Sequence, residues 1–99
     1  MKLNLARIIL DAPEGWAVRN IGRQLILLSP HGKHPNCEIV FTLRKDGSLI
    51  YKDYYENGIF HREDGPAVTV YSECGNTAEE LFYCQGKLLN RKCYKDEAE

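Results

Sequence analysis

Apolar and polar positions along this chain alternate in short blocks separated by glycine-bearing turns, a pattern that specifies strands. Trp16–Asn20 and Arg23–Leu28 flank Ile21-Gly22 and predict a hairpin. Ser29–Asn36 is polar, holds two prolines and a glycine, and predicts a loop. Glu38–Arg44 is rich in β-branched and aromatic residues and predicts a strand, followed by a turn at Lys45–Ser48 and a returning strand at Leu49–Tyr55. Glu56-Asn57-Gly58 turns the chain again into Ile59–His61. Further strands are predicted at Ala67–Tyr71, Glu80–Cys84 and Lys87–Arg91, with turns at Ser72–Thr77 and Gln85-Gly86. The first ten residues fit two patterns: Leu3, Leu5 and Ile8-Ile9-Leu10 suit a strand, whereas Leu3, Ala6, Ile9 and Leu10 share one stripe of a short helix.

The later blocks repeat. A shift of 28 residues superposes Val40 on Val68, Gly47 on Gly75, Tyr55 on Tyr83 and Gly58 on Gly86 without a gap. Tyr54 then faces Phe82, Asn57 faces Gln85, and Phe60 faces Leu88. The expected fold class is therefore mainly β: a single-domain antiparallel meander of short hairpins, with one short helix as the alternative for the N-terminus. A hairpin unit at 1–36, a repeat-containing meander at 37–94 and a frayed tail at 95–99 make up the expected organisation. Every aromatic residue except Trp16 lies between Phe41 and Tyr94, so alternate Tyr and Phe side chains are expected to line the core face.

Length and charge narrow the function classes. Ninety-nine residues with 43% hydrophobic composition suffice for one core and not for two. The net charge of -1 gives no general drive toward nucleic acid or acidic membranes. It conceals a mildly basic first third (Lys2, Arg7, Arg19, Arg23 and Lys33 against Asp11 and Glu14) and an acidic remainder. Arg7 interrupts the apolar start, so no secretion signal is read there, and no stretch reaches the roughly 18–20 apolar residues of a membrane span. Cys37, Cys74, Cys84 and Cys93 are widely spaced, and reduced thiols in the cytoplasm of a bacterial host are the expectation; the alternative is a disulfide between Cys84 and Cys93 across a hairpin.

His61-Arg62-Glu63-Asp64-Gly65-Pro66-Ala67, preceded by Tyr55-Glu56-Asn57-Gly58-Ile59-Phe60, resembles the "YxNGxxHREDGPA" repeat of bacteriophage and bacterial proteins, itself similar to MORN hairpin repeats. The likeness covers residues 44–91, and its second unit is degenerate, with Leu89-Asn90 where His61-Arg62 would recur. It implies a β-hairpin stack used for interaction, with no catalytic residue in the motif. The phage association extends the expectation to a small inhibitor of a host protein, of the anti-defence or anti-CRISPR kind. A structural phage component is the alternative within the same setting.

Four readings of chemistry compete. An imidazole, a guanidinium and two carboxylates at 61–64 could move a proton, but neighbouring residues on a strand point to opposite faces, and Asp64-Gly65-Pro66 is turn chemistry. No catalytic residue is expected. His31-x-x-His34-x-x-Cys37 has zinc-ligand types, with Cys74 or Cys93 to complete a site, yet no second paired motif accompanies it, and neither metal nor cofactor is expected. Arg7, Arg19, Arg23 and Lys33 with Trp16 could hold a nucleotide or a single strand by charge and stacking, a minor alternative. The favoured expectation is a non-enzymatic protein-binding module that contacts its partner through exposed turn residues: Glu56, Asn57, His61, Arg62, Glu63 and Asp64. Its short sheet also leaves edge strands that suit a homodimer or strand addition.

Overall fold

The computed structural model describes residues 12–30 and 36–94. They form eight antiparallel strands in one sheet: β1 (Ala17–Ile21), β2 (Gln24–Leu28), β3 (Cys37–Leu43), β4 (Leu49–Glu56), β5 (Ile59–Phe60), β6 (Val68–Tyr71), β7 (Thr77–Cys84) and β8 (Lys87–Cys93). The order across the sheet is β1-β2-β3-β4-β6-β7-β8, and β5 also pairs with β4. No helix occurs among the described residues, and the choice between strand and helix for the first ten lies outside them. β2 pairs with β3 over Gln24–Leu28, so the N-terminal hairpin extends the meander in the same sheet.

The 28-residue shift holds in the backbone. β4 maps onto β7 residue for residue, and the bulges at Thr42/Leu43 and Val70/Tyr71 are also 28 apart. Both bulged turns close alike: the Arg44 N–H donates to the Ser48 C=O at 2.7 Å, and the Ser72 N–H to the Asn76 C=O at 2.8 Å. The tight turns match as well, with Asn57 and Gln85 at φ 53° and 51° and the glycines after them at 83° and 81°. Positive φ at both central positions is the hairpin geometry that suits the twist of the flanking strands, and Asn-Gly is its preferred sequence. Gln85 adopts the left-handed conformation without the local hydrogen bonding that eases it for Asn.

The core is smaller and further toward the N-terminus than the aromatic pattern predicts. Leu25, Leu27, Phe41 and Leu49 form the buried cluster, with Trp16, Val18, Ile39, Leu43 and Tyr71 packed against it. Because Tyr54 and Tyr55 are adjacent on β4, their rings must go to opposite faces. Tyr54 shares the core face of Ile39, its partner across the ladder, while Tyr55 stacks on Phe60 and Phe60 meets Tyr83, at centroid distances of 4.8 and 5.0 Å, on the other face. The aromatic residues are thus divided between two faces and do not line one core.

Candidate functional site

Residues 61–67 leave the sheet where β5 ends and rejoin it at β6. The position beside β4 is filled end to end by two short strands, β5 opposite Tyr55 and Glu56 and β6 opposite Tyr51–Asp53. The backbone ties both ends of the intervening loop: the His61 N–H donates to the Tyr54 C=O at 3.2 Å, Arg62 N–H to Tyr83 C=O at 3.2 Å, and Ala67 N–H to Leu81 C=O at 2.9 Å. Ala67 is fully buried. A loop held from both flanking strands presents its side chains in fixed directions.

His61 is the inner anchor. It is only 6% exposed, which corrects the expectation that it is an exposed contact group. Its Nδ1 accepts the Gln85 backbone N–H at 2.9 Å, so the ring proton sits on Nε2 in the neutral tautomer. Nε2 faces Glu63 Oε2 at 3.3 Å and Glu56 Oε2 at 3.6 Å. Both ring nitrogens are therefore engaged within the fold. The ring satisfies a backbone donor in the strained turn at Gln85, and that turn belongs to the second repeat unit.

Arg62 is the outer clamp. Its guanidinium lies 4.0 Å from the centroid of the Tyr54 ring, donates from Nε to Asp64 Oδ1 at 3.0 Å and from Nη1 to the Pro66 C=O at 3.3 Å. Gly65 leaves the space that the guanidinium occupies. Arg62 is half-buried rather than exposed, as is Glu56. Asn57 is exposed, yet it accepts the Asn36 N–H through Oδ1 at 3.0 Å and donates its own N–H to the Asn36 C=O at 2.7 Å. What the loop offers outward is Glu63 and Asp64, whose side chains are 84% and 87% exposed. Of the six predicted contact residues, the structure brings all into one region and divides them into holders and presented groups.

The other predicted constellations come apart. His31 and His34 lie outside the described residues; Cys37 is at the opposite end of the strands from Cys93, which pairs with Glu79 at the far end of β7. No group of three metal-ligating side chains occurs among the described residues. Burial, and secondarily Glu56, raises the Cys37 thiol above its ordinary pKa. None of the four cysteines forms a disulfide, and Cys84 and Cys93 are separated along β7–β8, because Cys84 faces Lys87. Arg7 and Lys33 are likewise outside the described residues, and Trp16 is half-buried against the core cluster instead of available for stacking.

Sequence reasoning missed Asp53. Its register partners are Val40 on β3 and Val68 on β6, and Tyr51 and Tyr55 flank it on the same face. Its side chain makes no hydrogen bond or ion pair among the described residues, and desolvation pushes its carboxyl up to about 6. The signal was present in Tyr51-Lys52-Asp53-Tyr54-Tyr55, where a lone acid shares its parity with two tyrosines. No helix among the described residues is long and apolar enough to cross a membrane. No family model matches the chain, and no curated protein or solved structure does so either.

Proposed function

We propose that this protein is a non-enzymatic protein-binding module that recognises its partner through the acidic tip of the 61–67 loop. The observation that carries this reading is the division of labour in the loop: His61 and Arg62 are consumed in holding it, and Glu63 and Asp64 project from a fixed frame. Ordering cost on binding is small when the contact groups are already positioned. Asn57, in the neighbouring turn, adds an amide at the margin of the same surface.

The likeness of His61–Ala67 to the phage and bacterial hairpin repeat supports a narrower form: a phage-encoded inhibitor of a host protein, acting in the bacterial cytoplasm. Two exposed carboxylates favour a basic patch on that partner, including one that normally receives nucleic acid. Affinity capture from a bacterial lysate tests the reading, with wild type compared with Glu63→Lys. One stoichiometric protein retained by wild type and released by the variant supports it. Recovery of the bait alone, or equal capture by the variant, overturns it.

A further inference from the structure

On the face of the sheet opposite the loop, β1–β4 carry three charges without partners among the described residues: Arg19, Glu38 and Asp53. Arg19 on β1 and Asp53 on β4 lie in one row across the ladder, Arg19 opposite Ile26, Ile26 opposite Val40, and Val40 opposite Asp53. Neither side chain makes an ion pair or hydrogen bond among the described residues. Three strand spacings separate them, about 14 Å, too far to meet within one chain. Trp16 and Arg62, whose side chains pack onto the sheet from the segments outside the strands, do so on the core face, Trp16 against the buried cluster and Arg62 over Tyr54. On the face of Asp53, Tyr51 is 41% exposed, and Ile21, which lies in the same row through Gln24 and Thr42, is 58% exposed.

We propose that this face is a homodimer interface, in which β1–β4 of two copies pack face to face about a two-fold axis parallel to the strands and between β2 and β3, so that Arg19 of each copy meets Asp53 of the other. Such an axis exchanges β1 with β4 and β2 with β3 while preserving position along the strands, as an isologous contact requires. The same operation sets Ile21 against Tyr51 of the other copy, which covers two of the exposed large hydrophobics at once. It also sets Ile26 against Val40, Gln24 against Thr42, and the small Ala17 against the ring of Tyr55. One rotation therefore gives Arg19 and Asp53 a partner and pairs apolar with apolar and polar with polar across the two inner rows. Leu28 against Glu38 is the one mismatched pair, in the outer row. An interface that left Arg19 or Asp53 buried and alone would be strongly disfavoured, and Glu38, at the rim of the patch, keeps its charge toward solvent.

Sedimentation velocity of the full chain, from micromolar to millimolar concentration, tests the proposal. Wild type is expected to show a reversible monomer–dimer equilibrium. Arg19→Asp and Asp53→Arg each weaken it by about tenfold or more, and the double variant restores it. Arg19 and Ile21 are exposed on an edge strand, so Arg19→Asp and Ile21→Lys leave the fold intact and keep the test valid even if Asp53→Arg does not fold. A wild type that stays monomeric throughout overturns the proposal, as does a dimer indifferent to Arg19→Asp and Ile21→Lys. The acidic loop lies on the other face, so partner capture through Glu63 stands or falls separately.

Discussion

Gly65→Ala probes the clamp on the 61–67 loop through steric geometry alone. Gly65 has no left-handed φ, so alanine fits its backbone, but the new methyl would stand 2.9 Å from Cζ, 3.0 Å from Nη1 and 3.2 Å from Nε of Arg62. The guanidinium must leave Tyr54, Asp64 and Pro66 to admit it. The stacking on Tyr54 is worth about 0.5–1 kcal/mol, the bond to the Pro66 carbonyl about 0.5 kcal/mol at its length, and the pair with the exposed Asp64 a few tenths. Losing the set costs about 1.5 kcal/mol. Alanine also restricts the unfolded chain, which returns roughly 0.5 kcal/mol. The net expectation is a loss of about 1 kcal/mol, or roughly 4–8 °C in Tm for a domain of this size. In an Arg62→Ala background the obstacle is gone, and Gly65→Ala should instead stabilise by about 0.5 kcal/mol. Urea unfolding of the four proteins in this cycle, followed by far-ultraviolet circular dichroism, reads both numbers. An effect of the same sign and size in both backgrounds would refute the clamp.

Three further outcomes follow from the same geometry. His61→Ala should cost about 2–3 kcal/mol by urea titration, since it opens a cavity and strands the Gln85 N–H, whereas Glu63→Ala should stay within about 0.5 kcal/mol; equal effects would contradict the anchoring role. Gln85→Gly should stabilise by about 0.5–1 kcal/mol by relieving a left-handed Gln, while Asn57→Gly gains nothing because it gives up the bond to Asn36; thermal melts that rank the two in reverse would count against this. Asp53 should oppose folding of the monomer at neutral pH. Its carboxyl is raised to about 6 in the fold by desolvation, with Tyr51, Tyr55 and Glu38 as its polar neighbours, and ordinary near 3.8 when unfolded. Below the lower value both states are protonated and no penalty exists; between the two the unfolded chain alone gives up its proton, and the penalty is complete above about 6. Asp53→Asn should therefore stabilise the dilute protein at pH 7 and not at pH 3, and a pH-independent difference would sink the assignment.

Strand positions and turns were legible in the chain because they are set by short-range chemistry. Asn57-Gly58, the 28-residue repeat and the alternation on β3 and β4 act over a few residues, and the ladder pairs them with neighbours that follow directly in sequence. Strand β7 was read three residues short, since Thr77 was read into the turn and Ala78-Glu79 carry little strand propensity, and all three are recruited by pairing with Val70, Tyr71 and Cys93. The sign and grouping of charge at 61–64 could likewise be read in advance. Which of those residues would be held and which presented could not: His61 is buried where the turn of the next repeat, 24 residues on, places a backbone N–H against its ring. Asp53 looked like one more solvated charge until the register set it between Val40 and Val68. Sequence by itself determined the local alternation and the turns; tertiary structure decided burial and charge environment, because both depend on side chains that only the assembled sheet brings together.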